Sequence, residues 1–227
     1  MSRLPIYDQR YAAVYERLYV EAWPYKHRRN QARIAQLAEE LAGRGERLRW
    51  LDVACGPAWH FRGLPEGISR FGLDASTAQL DHARKRSPQA AFVCADMTEP
   101  VFRPASFDLV TSFWAAYCYL DSFARIAAWL DNLVGWVRPG GACYFEVLLP
   151  ADVATFNRSP YAAATGFRVF PRSPDWVRWG YRDAGGLHNM TSPPLGFFTA
   201  PLVLAFERVE AEHDGAFMVH VVGHGRK

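Results

Sequence analysis

Three apolar runs, each reaching an aspartate at its end and each followed by a stretch that can turn or form a helix, constrain this chain most. "LRWLDV" carries Asp52, "RFGLDAS" carries Asp74 and "AAFVCADM" carries Asp96, spaced about one strand-plus-helix unit apart. Strands buried on both faces read as unbroken apolar runs, so a carboxylate belongs at the tip, where the chain leaves the sheet. "FDLVTSFW" (107–114) and "ACYFEVLL" (142–149) read as a fourth and fifth strand, with a helix over 121–137 closed by "RPGG". Strands alternating with helices predict a parallel sheet covered on both sides. "FERVEAEHDGAFMVHVVGHG" predicts two antiparallel strands joined at Asp214-Gly215. The expectation is an α/β fold: a seven-stranded, mostly parallel, doubly wound sheet that ends in an antiparallel hairpin.

The flanks read differently. Residues 7–42 are helical in pattern, with Tyr7, Tyr11, Tyr15 and Tyr19 on one face, a break at Pro24 and a second helix over 28–41. Residues 151–192 are rich in Pro, Gly, Arg and aromatics. There "WVRWGYRDAGGLHNM" fits a hairpin across Ala184-Gly185-Gly186 or a helix with a Gly end, the hairpin being preferred. The expected organisation is an N-terminal helical lid (1–45), a binding core (46–150), a small cap (151–195) and the terminal hairpin (196–227).

Composition excludes several classes. The net charge is +3, and the dense basic stretches "KHRRN" (26–30) and "HARKRS" (82–87) read as solvated helix faces, so no nucleic-acid partner is expected. Cys55, Cys94, Cys118 and Cys143 form no CxxC pair, so no metal is expected. No signal-peptide core or membrane-length apolar stretch is seen, and a soluble cytoplasmic protein, monomeric or homodimeric, is expected. Aromatics make up 15% of the chain, with 8 Trp, enough to line a pocket as well as a core.

The strand tips suggest chemistry. In open α/β sheets ligands bind beyond the carboxyl ends of the strands. A carboxylate after the second strand suits a ribose diol, and one after the third can accept from an exocyclic amine such as that of adenine. Gly56 lets backbone approach the ligand, and Pro57 can start a helix. The loop "CGPAWH" lacks the GxGxxG pattern that pyrophosphate needs, so a nucleoside without phosphate fits better than a dinucleotide.

"LDVACG", "GLDAS", "CADM", "FDLVTSF" and "VRPGGACYFE", in that order, resemble the motifs of class I S-adenosylmethionine-dependent methyltransferases, whose sheet is Rossmann-like. The resemblance covers residues 48–149, and the terminal hairpin in pattern only. "YERLY" (15–19) is similar to the YDxxY motif that opens small-molecule methyltransferases, including those that N-methylate amino sugars. The resemblance implies S-adenosyl-L-methionine as cofactor, S-adenosyl-L-homocysteine as product and a small-molecule acceptor, methylated on N or O. It places Asp52, Ala54 and Gly56 at the methionine end, Asp74 and Ala75 at the ribose, and Asp96 and Met97 at the adenine. Ser112, Phe113 and Trp114 fall at the sulfonium, with Tyr15 and Tyr19 as a lid. Tyr15, Glu146 and His188 are candidate catalytic residues, and Trp114, Tyr117, Glu146 and His188 candidate acceptor contacts. Ala58 departs from the family's usual Gly. The competing readings are a partner subunit that keeps its nucleoside without catalysis, and an RNA or protein methyltransferase; a nicotinamide-dependent oxidoreductase is disfavoured by the missing glycines.

Overall fold

The protein was analysed as a computed structural model, which describes residues 21, 23–42, 47–63, 67–183 and 186–227. The chain runs through helix α1 (Pro24–Leu41), β1 (Leu48–Val53), β2 (Ile68–Asp74), α2 (Thr77–Arg86), β3 (Ala91–Cys94), β4 (Phe107–Ser112), α3 (Phe123–Trp136) and β5 (Val137–Val147). Next come two short helices, α4 (Pro150–Thr155) and α5 (Pro160–Thr165), and three strands, β6 (Val169–Pro171), β7 (Arg178–Asp183) and β8 (Gly186–Thr191). Helix α6 (Leu195–Ala205) and strands β9 (Phe206–His213) and β10 (Val219–Arg226) complete it.

Seven strands form one sheet in the order β3-β2-β1-β4-β5-β10-β9. The first five are parallel, and β10 runs antiparallel to both β5 and β9. This is the expected seven-stranded sheet with an antiparallel end. The order turns back between β1 and β4, which opens the crevice that such sheets use for ligands. Strands β6, β7 and β8 form a separate antiparallel sheet, with Asp183 opposite Gly186, so the hairpin reading of that segment holds.

Period-two alternation sorts the strands between two cores. On one face Trp50, Leu109, Tyr144 and Val222 pack under Ile34 and Leu37 of α1. On the other, Leu51, Val110 and Phe145 pack under Ile126, Trp129 and Leu133 of α3 and Phe198 of α6. Two residues along from the apolar set on the α1 face, every strand turns polar: Asp52, Thr111, Glu146 and His220, all buried. The amino-terminal half of α1 covers this polar band with Lys26, His27 and Asn30, its carboxyl-terminal half covers the apolar band, and the helix is graded along its length to match the sheet.

Four local readings need correction. Pro24 occupies the first turn of α1, where its missing N–H costs nothing, so α1 begins four residues earlier than expected; the helix expected to end at Pro24 lies outside the described residues. The "KHRRN" stretch is not wholly solvated, since Lys26 is 2% and His27 3% exposed. Pro57 does not open a helix either: Ala58 sits in the left-handed region (φ 55°), and only a short 3-10 turn, Trp59–Phe61, follows. Helix α6 had no sequence signal, because Pro201 lies inside it and its residues are apolar all round. Ser76 and Ser122 cap α2 and α3, accepting from the N–H of Gln79 and Arg125.

Candidate functional site

The loops after β1, β2 and β3 leave the sheet at one rim, and the three aspartates at these strand ends line one cavity of about 1700 Å³. That exceeds the roughly 300–1,000 Å³ typical of a single small-ligand pocket, so two molecules can share it. Of the ten expected cofactor positions inside the described residues, nine line it: Asp52, Ala54, Gly56, Asp74, Ala75, Asp96, Met97, Phe113 and Trp114. Ser112 is buried beneath them in β4 and does not reach the wall. Tyr15 and Tyr19 lie outside the described residues.

Each carboxylate is held differently. Asp74 accepts from the backbone N–H of Gly56 and of Ser76, both at 2.8 Å, so it ties the β1 loop to the β2 loop. Burial still raises its pKa, against these donors. Asp96 accepts from the N–H (2.9 Å) and hydroxyl (2.8 Å) of Thr98 and from Arg125 at 2.6 Å; together these overcome partial burial and hold its carboxyl below the usual range. Asp52 is 1% exposed, and burial pushes it up to about 8, although Thr111 donates to it at 2.7 Å.

The backbone of the β1 loop explains the glycine question. Ala54, Gly56 and Ala58 have φ values of 56°, 51° and 55°, in the left-handed region at alternate positions. Residues without a Cβ adopt it freely, and alanine carries a strain of about 1–2 kcal/mol there. The geometry expected of glycine is therefore kept at Ala58, and its amide donates to Cys55 O at 3.0 Å.

Glu146 and His188 depart from the expectation that they meet an acceptor, since neither lines the cavity. Glu146 is fully buried in β5. It is ion-paired with Lys26 and accepts from Asn30 Nδ2 at 3.0 Å and from the Trp114 N–H at 2.6 Å, with His220 Nδ1 3.8 Å away. Burial alone would raise its pKa, but Lys26, His220 and these donors bring it to about 2. Trp114 and Ala115 both have positive φ (59° and 47°), and Glu146 is a tether that holds this strained turn against α1. His188 stacks on Tyr181 at 4.1 Å and bonds Asp183 at 2.7 Å, inside the small sheet. Tyr117, also absent from the wall, bonds both backbone groups of Leu148 through its hydroxyl, accepting from the N–H at 3.0 Å and donating to the carbonyl at 3.4 Å.

A polar chain that sequence reasoning missed stands in their place. His27 of α1 lines the cavity, and its Nδ1 lies 3.2 Å from His60 Nε2. The other nitrogen of His60 is 4.0 Å from Asp52. Burial, with His27 next in effect, lowers His60 to about 3, so its imidazole is neutral. One signal could have found His27: Lys26 and Asn30, then His27 and Ile34, fall at helical spacing on one face that continues into Leu37. Among the described residues there is no cluster of His, Cys, Asp or Glu able to hold a metal, and no helix long and apolar enough to cross a membrane.

Residues 51–141 match a family described as a methyltransferase domain. The sheet order and the rim of strand-tip carboxylates agree with that match. It is 29% identical over 174 residues to the dTDP-3-amino-3,4,6-trideoxy-alpha-D-glucopyranose N,N-dimethyltransferase of Streptomyces venezuelae, covering 74% of this chain and 72% of that one. To the demethylmenaquinone methyltransferase of Beutenbergia cavernae it is 32% identical over 54% of this chain and 47% of that one. The crystal structure of Streptomyces venezuelae DesVI superposes with a TM-score of 0.66 at 22% identity, covering 94% of this chain and 98% of that one, a likeness of fold. The chain spans between a quarter and a half of the length of other curated relatives it matches.

Proposed function

We propose that the protein transfers a methyl group from S-adenosylmethionine to a nitrogen or oxygen atom of a small molecule in a biosynthetic route. The observation that carries this is the convergence of Asp52, Asp74 and Asp96 on one cavity large enough for two ligands. When bound, the cofactor supplies a methyl already activated on a sulfonium, so the protein's work is to hold, align and exclude water. Asp74 takes the ribose hydroxyls, and Asp96 with Met97 takes the adenine. Trp114 lines the cavity, where an aromatic ring suits a sulfonium. The His27–His60 pair offers ring nitrogens that orient the acceptor by hydrogen bonding, while His60, lowered to about 3 by burial, is too weak a base to keep its proton. The named amino-sugar relative supports nitrogen as the methylated atom.

Calorimetry with S-adenosylhomocysteine tests the reading. Asp74→Ala removes charge-assisted hydrogen bonds of about 1.5–3 kcal/mol, so affinity falls roughly tenfold to a hundredfold. Asp74→Asn serves where the alanine variant fails to fold. Unchanged binding in a folded variant refutes the ribose assignment.

A further inference from the structure

We infer that the acceptor is a flat, uncharged aromatic molecule and not a phosphorylated one; this deepens the methyl-transfer reading and rests on it. The cavity is electrically two-sided. Among the described residues its charged lining groups are Asp52, Asp74, Asp96, Glu99, Asp121 and Arg125. The first four sit at or just beyond the tips of β1–β3. Arg125 is committed to Asp96 at 2.6 Å, and Asp121 lies 4.0 Å from it, so these charges gather on the cofactor side, with Asp52 at its methionine end beside His60.

The opposite wall is a continuous ring system. Trp23 packs on Tyr161 at 4.5 Å and on Phe217 at 5.0 Å. Phe156 bridges Phe217 (5.6 Å) and Phe167 (5.7 Å), and Phe167 meets Tyr181 at 4.9 Å. All six line the cavity. In the sequence Arg158, Arg168, Arg172 and Arg178 stand beside these aromatics, a pattern that suits a flat or sugar-like acceptor, one carrying an acid included. None of the four lines the cavity. All are exposed, and the Arg168 guanidinium donates to the carbonyls of Ala162 and Phe167. A phosphate laid on such a wall would lose its water with no cation from the described residues in return, whereas an aromatic ring gains stacking area. The polar points that remain are the Tyr119–Tyr181 hydroxyl pair, Asn189 and the His27–His60 nitrogens, suited to a hydroxyl or amine on a flat ring.

Calorimetry separates the possibilities. The protein is first titrated with S-adenosylhomocysteine. The loaded protein is then titrated with 2-naphthol and, separately, with thymidine diphosphate, which adds phosphates to a flat ring. The expected result is saturable 2-naphthol binding and at least tenfold weaker thymidine diphosphate binding. Tyr161→Ala weakens 2-naphthol about tenfold and leaves S-adenosylhomocysteine unchanged; Phe156→Ala replaces it if that variant does not fold. Thymidine diphosphate binding as tightly as 2-naphthol, or no saturable 2-naphthol binding to the loaded protein, overturns this inference and leaves methyl transfer standing. Failure of S-adenosylhomocysteine itself to bind overturns the functional reading, and this inference with it.

Discussion

Replacing Glu146 by glutamine tests whether this carboxylate is a structural tether. Glu146 and Lys26 are 0% and 2% exposed, and they join β5 to α1 across 120 positions of sequence. The substitution keeps the shape but leaves the Lys26 ammonium buried without its counter-charge. Removing one partner of a buried pair costs about 3–5 kcal/mol, and Asn30 and the Trp114 amide keep only a weaker acceptor. In a chain of this size that lowers the melting temperature by on the order of 10 °C. Urea unfolding measures it directly. Lys26→Met alone is destabilising in the same way, and the double variant Lys26→Met with Glu146→Gln is less destabilised than the sum by at least about 1 kcal/mol, because no lone charge remains. S-adenosylhomocysteine affinity changes less than stability, since the tether touches the cavity only through Trp114. A Glu146→Gln protein of unchanged stability that fails to turn over would refute this account and return Glu146 to the chemistry.

Three further outcomes follow from the same coordinates. Glu146 is held at about 2, below its ordinary 4.5, so its contribution is complete above about 4.5 and is lost as pH falls toward 2; melting temperature against pH shows that loss, and Glu146→Gln removes it. Asp52 and His60 give opposite slopes. Asp52, raised to about 8, makes the fold less stable as pH climbs from 4 to 8, and Asp52→Asn flattens that limb. His60, lowered to about 3, makes the fold less stable as pH drops from 6.5 toward 3, and His60→Asn flattens that one. A Cβ on Gly72 would meet Cys55 Sγ and Phe92 at 2.7 Å, so Gly72→Ala costs about 1–3 kcal/mol in denaturant unfolding.

Much of this architecture was legible before any coordinates. The parallel strands announce themselves as apolar runs with acidic tips, and the Asp214 turn marks the antiparallel end: its carboxylate accepts from the amides of Ala216, Phe217 and Met218. The acidic rim of the cavity was legible for the same reason, since a strand end fixes where its side chain emerges. The rest depends on contacts between distant segments. Glu146 among apolar neighbours looked like a residue kept for chemistry, and only the register of β5 against α1 shows four groups already around it. His188 looked similar, until its stack on Tyr181 and bond to Asp183 place it within the small sheet. His27 hid in a basic string in which exposed Arg28 and half-buried Arg29 carried the reading. Period alone cannot say which polar residue on a helix faces inward when the sheet beneath turns polar as well.

The β6–β8 sheet shares no ladder with the seven-stranded one. Trp179, Tyr181 and Met190 can therefore change without breaking a backbone hydrogen bond of any strand that bears an acidic tip. Under the proposed function, the acceptor side can be altered within residues 169–191 while the backbone ladder that carries the acidic rim is left in place.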